Sequence, residues 1–369
     1  MQKIEQKHPK TINPNLKLFN ESIRSEYTRK VYTVCLNKFF EFVDSNYEII
    51  ECDSSTDLKE IEQYVIDFVI FLKNEGKGFA VIHNYVSAIC KYYKINDVVL
   101  NTNKIHQFLP EFRKSKKDRG YDHPEIQGLL DIADERFRTI ILLLASTGMR
   151  IGAVPDLRLR NIEKVLTESG LAIHKITVYE YTNDEYITFT TPECSMAIDN
   201  YLKMRERYGE KLIQDSFLIR EQFDVRDPFT ISKCKRVKGN TLTRKLIDLA
   251  ERSGIRQKEV LKAGKNRATI RKDVPIAHGF RKFFTTQLIE ADAKTELRWL
   301  LEGHNLKAND SNYVRTTEKR LQQEYEKAID NLTIDPANRL QRKVETLTIE
   351  KSRLDKIEEK MRKIEKMYQ

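Results

Sequence analysis

His278-Gly279-Phe280-Arg281 is the stretch on which the reading of this chain turns. It sets an imidazole and a guanidinium three residues apart, a spacing that puts both on one face of a helix. Downstream lie Gly303-His304 and then Ser311-Asn312-Tyr313. A candidate leaving-group acid, a phosphate clamp and a nucleophile therefore fall between positions 278 and 313.

The chain around this stretch has 369 residues, 40% of them hydrophobic, which suffices for two or three domains with their own cores and excludes global disorder. A net charge of +10 favours polyanionic partners such as nucleic acid, although many basic proteins are merely solvated that way. The cysteines Cys35, Cys52, Cys90, Cys194 and Cys234 are odd in number, widely spaced and free of any CxxC pair. That pattern argues against a disulfide framework or a zinc site and reads as reduced, mostly packed thiols. No apolar signal core follows Met1 and no apolar run reaches membrane-spanning length, so a cytoplasmic location with no membrane partner is expected.

Residues 1–18 are polar, contain Pro9 and Pro14, and read as a loose arm. From Ser22 the pattern becomes helical, with Tyr27, Val31, Val34, Cys35, Phe39 and Phe42 as its apolar stripe. A second helix is expected from Asp57, where Glu60 completes an acidic capping box, with Leu58, Ile61, Val65, Phe68 and Leu72 inward. A third carries Val81, Ile82, Tyr85, Val86, Ile89 and Cys90, and a short fourth carries Ile105, Phe108 and Leu109. Together they predict a helical bundle over 19–112.

A basic linker, 113–123, follows; over its first part, 113–119, Arg113, Lys114, Lys116, Lys117 and Arg119 stand against one acid. A solvated loop is the alternative to contact with a nucleic-acid backbone. The next domain, 124–320, opens at Pro124, a residue suited to a first helical turn. Ile140 to Ala145 is apolar all round, as a buried central helix requires, and Gly148 is placed to end it, so Arg150 emerges where a core helix stops. Between Ile173 and Thr191 the period falls to two around Thr182-Asn183-Asp184-Glu185, which predicts a β-hairpin, and Thr191-Pro192-Glu193 starts another helix.

Segment 233–272 then holds 14 Lys or Arg, among them Lys235, Arg236, Lys238, Arg244 and Lys245, against 3 acids. A solvated face normally intersperses its signs, so this excess reads as a footprint for phosphates. Residues 321–369 read as a charged helix, with Leu340, Val344, Leu347, Leu354, Ile357, Met361 and Ile364 at heptad-like spacing broken at Lys351. A coiled coil and a frayed tail are both compatible with it. The fold class expected is mainly α with a small antiparallel β-hairpin or sheet, a helical bundle preceding a second, α+β domain.

Phosphodiester transfer to a tyrosine requires a phenolic oxygen in line with phosphorus, cations for the non-bridging oxygens and an acid for the departing 5′ oxygen. Arg150 and Arg281 can act as bidentate clamps, and His278 and His304 titrate near neutrality. Tyr313 is the candidate nucleophile, its phenolate favoured by surrounding cations. Singly these residues say little: a lone His-x-x-Arg is more often a surface turn, and one tyrosine of 16 is usually core or rim.

In order, Thr147-Gly148-Met149-Arg150-Ile151, His278-Gly279-Phe280-Arg281, Leu300-Leu301-Glu302-Gly303-His304 and then Tyr313 resemble the motifs of the tyrosine recombinases, or phage integrase family. The resemblance covers about 120 to 320, and the upstream bundle looks like that family's core-binding domain. It implies that Arg150 and Arg281 bind the scissile phosphate, that His278 and His304 assist proton transfer, and that Tyr313 forms a 3′-phosphotyrosyl intermediate. It further implies double-stranded DNA as partner, assembly into dimers on a site and tetramers in a synapse, and no metal or nucleotide cofactor.

This chain departs from the family twice. Ala153 stands where an acid is usual, with Asp156 one turn further on, and the hairpin turn lacks the usual lysine, the nearest upstream one being Lys175. A lysine of the basic segment could supply the acid, the histidines could suffice, or activity could be impaired. A type IB topoisomerase-like swivelase and a non-catalytic DNA-binding protein are the competing readings.

Overall fold

Pro14 opens the first helix instead of lying in a loose arm: the computed structural model, which describes residues 14–46, 58–112, 118–256, 274–304 and 317–367, has α1 at Pro14–Glu21. The fixed φ of proline suits a first helical position, and Phe19, wholly buried, anchors the turn that follows. The rest of the expected arm, residues 1–13, lies outside the described residues. The chain divides into two compact units, Met1–Ser115 and Lys116–Gln369.

In the first unit α2 (Glu26–Asn46), α3 (Leu58–Asn74), α4 (Phe79–Ile95) and the short α5 (Thr102–His106) enclose one core. Phe39 and Phe68 meet edge to face at 5.4 Å inside it. The face buried by α2 is Cys35, Leu36, Phe39 and Val43, whereas Tyr27 is 78% and Val34 64% exposed. The expected stripe is thus rotated by about one residue, because Leu36, Phe39 and Val43 form an equally regular set. The expected cap Asp57 lies outside the described residues. Glu62, almost fully buried, accepts from the Asn101 backbone at 2.8 Å and from Lys104 at 3.1 Å, which fastens the start of α5 to α3.

The second unit starts with α6 (His123–Ile132), capped reciprocally by Asp122 and Glu125, and α7 (Glu135–Thr147), capped by Asp134. From Phe137 on, nearly every residue of α7 is buried, as a central helix apolar all round should be. A three-stranded antiparallel sheet lies beside it: β1 (Ile162–Leu166), β2 (Ala172–Val178) and β3 (Tyr186–Phe189), in the order β1-β2-β3. The hairpin β2–β3 was expected and β1 was not. Ile-Glu-Lys-Val-Leu lacks the alternation that marks a strand, and its pairing with β2, Ile162 opposite Ile176, supplies what its pattern lacks.

Thr191 caps α8 (Pro192–Arg207) as expected; α9 (Pro228–Ser232), α10 (Gly239–Arg252), α11 (His278–Glu290) and α12 (Thr295–Leu301) follow. The expected domain end at 320 needs correction. Helices Glu318–Glu326 and Ile329–Leu332 bury Leu321, Tyr325, Ile329 and Leu332 in the same core, and the Tyr325 hydroxyl donates to the Ser146 carbonyl at 2.9 Å. Only from Pro336 does the chain become a charged helix, Pro336–Met367. Among the described residues no helix is long and apolar enough to cross a membrane. Cys35 and Cys194 are buried, Cys90 and Cys234 half-buried, all as free thiols; Cys52 lies outside the described residues.

Candidate active site

Gly148 ends α7 in the left-handed region at φ +60°, and a Cβ there would stand 2.3 Å from the Phe284 ring. Glycine is therefore required both by the turn and by the close approach of α11. The turn buries Met149 and leaves Arg150 exposed. On α11, His278 is the first helical residue, and Gly279 presses on Tyr121 and Val274, where a Cβ would come within 2.8 and 2.9 Å.

Arg281, one turn into α11 and 6% exposed, donates from Nη1 to the Gly148 carbonyl at 3.0 Å and from Nη2 to the Glu302 carbonyl. One guanidinium thus joins the ends of α7 and α12 to the start of α11. Its pKa is lowered, first by burial and then by the charge of Arg150, so the two cations stand close enough to repel.

The end of α12 delivers His304. Gly303, at φ +66°, donates to the Leu300 carbonyl at 3.0 Å, and the His304 backbone donates to that of Trp299 at 2.9 Å. This is a Schellman motif, in which a left-handed glycine lets the last carbonyls find donors. A Cβ on Gly303 would lie 2.4 Å from the Tyr186 ring, so β3 and the helix stop fit only around a glycine. Nε2 of His304 is 3.4 Å from a carboxylate oxygen of the nearly buried Glu302, whose other oxygen accepts from Thr285 at 2.9 Å.

Burial lowers the pKa of both histidines. Lys282 and Arg281 add to it at His278, against the opposing charge of Asp118; Arg281 and Arg150 add to it at His304, against Glu302. Burial pushes the Tyr186 phenol up to about 12; its hydroxyl faces Arg281 yet has no well-aligned hydrogen-bond partner. Tyr179, at φ +57° where the hairpin leaves β2, is also raised by burial and feels the charges of Arg150 and Arg281. Neither tyrosine was singled out in the sequence, since each falls on or beside an ordinary strand pattern. Glu302 does lie inside a quoted motif.

The remaining sites divide sharply. Tyr313 and the linker cations Arg113, Lys114, Lys116 and Lys117 lie outside the described residues. Arg119 forks onto Glu125, and Arg236 forks onto Asp156 at 2.7 and 2.8 Å, so the acid considered as a substitute at the Ala153 position instead holds a cation. Ala153 itself is buried. Lys245 meets Asp248 at 3.0 Å on α10. Lys235, Lys238 and Arg244 are exposed and form no ion pair among the described residues. Lys175 is held by Glu163 at 2.6 Å and Glu318 at 2.9 Å, and the hairpin turn, 179–185, carries no lysine.

No family model and no curated protein matches this sequence. Among solved structures, the chain is similar to the XerH site-specific recombinase bound to palindromic difH substrate in a post-cleavage complex. The two share 16% identity over 80% of this chain and 78% of that one, with a TM-score of 0.53. It is also similar to the Tn1549 transposon integrase in complex with circular intermediate DNA, at 17% identity over 84% of this chain and 98% of that one, with a TM-score of 0.50. A mostly helical chain with one small antiparallel sheet, matching these structures over most of its length, has the tyrosine recombinase fold.

Proposed function

We propose that this chain is a site-specific DNA recombinase that cuts and rejoins strands through Tyr313. The observation that carries the reading is the pairing of Arg150 with the buried Arg281, flanked by His278 and His304. Like charges held close together raise each other's free energy, the more so where one of them, here Arg281, is buried, and an anion between them offsets that cost. A scissile phosphate is such an anion, and guanidiniums match its oxygens two at a time.

In the proposed reaction the Tyr313 hydroxyl gives its proton to a neutral histidine of the site as its oxygen attacks phosphorus, and the bond to the 5′ oxygen breaks. The departing oxygen takes a proton from an acid of the site, leaving a 3′-phosphotyrosyl bond and a 5′ hydroxyl. Attack by a 5′ hydroxyl reverses the step, so the phosphodiester energy is conserved without metal or nucleotide. With no lysine in the hairpin turn, His278 and His304 carry the proton transfer. Lys235, Lys238 and Arg244, with Arg113, Lys114, Lys116 and Lys117, contact the phosphates of double-stranded DNA. Dimers on a site and tetramers in a synapse belong to the same reading.

The engagement of Lys175 by two carboxylates supports a second reading, a DNA-binding protein on this fold without strand cleavage. Incubation with a pool of nicked duplexes, followed by denaturing electrophoresis, separates the two. Recombinase chemistry leaves protein covalently joined to DNA in the wild type and none in Tyr313→Phe. An adduct that survives that substitution removes Tyr313 as nucleophile, and salt-sensitive binding with no adduct in the wild type favours the second reading.

A further inference from the structure

The helix Pro336–Met367 leaves Leu340, Val344, Leu347, Leu354, Ile357 and Met361 at 53–65% exposure, a row of apolar side chains that its own domain does not cover. The spacing of the row is its own mirror image. Read forward from Leu340 the steps are four and three, to Val344 and Leu347; read backward from Met361 they are again four and three, to Ile357 and Leu354. Inverting the helix about the 350/351 bond exchanges Leu340 with Met361, Val344 with Ile357 and Leu347 with Leu354.

Most of the charges along the sequence follow the same inversion, Arg339 with Arg362 being the like-charge exception at the ends. Lys343 exchanges with Glu358, Glu345 with Lys356, and Glu350 with Lys351, so each of these exchanges matches opposite signs. A parallel, in-register pair would instead set Lys351 against Lys351 and Glu358 against Glu358 at the seam, where like charges are costly. The break in the heptad at Lys351, a defect for a parallel coiled coil, falls at the centre of symmetry and becomes the crossing point of an antiparallel one.

We propose that this face binds the same face of a second copy of the chain, antiparallel, about a two-fold axis at the 350/351 bond. Such an interface is isologous and closes at two copies, with each of these six apolar positions opposite another of them. It needs no DNA, and it stands whether or not Tyr313 cuts a strand.

Sedimentation equilibrium of the full chain without DNA tests the pairing. The wild type associates to a dimer, while Leu347→Asp/Leu354→Asp sediments as a monomer with unchanged thermal unfolding of its body, because both positions are solvent-exposed. Orientation is read from single cysteines, with the wild-type cysteines as background. Positions 340 and 361 lie about 32 Å apart along the helix at 1.5 Å per residue. Under oxidation, Leu340→Cys mixed with Met361→Cys yields disulfide-linked dimers, and neither variant alone exceeds the wild type. A wild type that stays monomeric, a dimer indifferent to the two aspartates, or single variants that link to themselves would each overturn the proposal.

Discussion

Arg281 does two tasks with one side chain: two of its N–H groups complete the carbonyl ends of α7 and α12, and its charge stands against that of Arg150. The same crowding of cations governs His278 and His304. Their folded pKa values lie below the ordinary histidine value because burial and neighbouring guanidinium or ammonium groups disfavour the imidazolium. The neutral form of each is therefore favoured in the free protein. A histidine with a depressed folded pKa contributes stability above its unfolded pKa, and that contribution is lost as pH falls through the folded value. NMR titration of the DNA-free protein should show both imidazoles protonating below about 6.5, the usual value, and inorganic phosphate should raise both midpoints by bringing an anion among the cations. Midpoints above the usual value without phosphate would contradict the crowded-cation account.

Among the elements, the segment after α8 is secured by a buried ion cluster that no local pattern announces. Glu210, 6% exposed, accepts from Arg205 at 2.6 and 3.0 Å and from Arg220 at 2.6 Å. Burial opposes its ionisation, the two guanidiniums outweigh burial, and its pKa is lowered. The guanidiniums also donate to the carbonyls of Phe217, Leu218, Thr230 and Ile231, so the cluster fastens the chain on both sides of Asp227. Removing the carboxylate strands two buried cations, and Glu210→Ala should cost about 3–5 kcal/mol in urea-induced unfolding. In the wild type this contribution fades as pH falls through the lowered pKa of Glu210. A loss under 1 kcal/mol would mean the cluster adds little beyond its packing. The helix stop at Gly148 was recognisable locally, from a glycine after an apolar run, whereas the stop at Gly303 was not singled out. Their contacts with Phe284 and Tyr186 were not locally recognisable, since those partners lie more than a hundred residues away in the chain.

Across the whole molecule, a net charge of +10 does not say which cations are available to a polyanion. Arg119, Arg236 and Lys245 already face carboxylates, whereas Lys235, Lys238 and Arg244 do not among the described residues. DNA affinity should fall with salt at a log–log slope of roughly −0.9 per phosphate neutralised. Lys235→Ala/Lys238→Ala should therefore flatten that slope by about two contacts. Arg236→Ala, which removes a cation already held by Asp156, should leave the slope nearly unchanged in fluorescence-anisotropy titrations. Equal flattening by both substitutions would show that the Asp156 pair opens on DNA.

The sequence by itself determined what depends on neighbours within a few turns: helices with one apolar face, the all-apolar α7, the glycine stop at Gly148, the basic segments, and the order of Arg150, His278, Arg281 and His304. Tertiary structure alone decided the face that α2 buries, the strand status of β1, the retention of residues 321–334 in the core, and the division of cations into paired and available. Periodicity is a local property of the backbone, whereas an ion pair such as Arg236 with Asp156 joins positions eighty residues apart. Only the folded chain brings such groups within reach of each other.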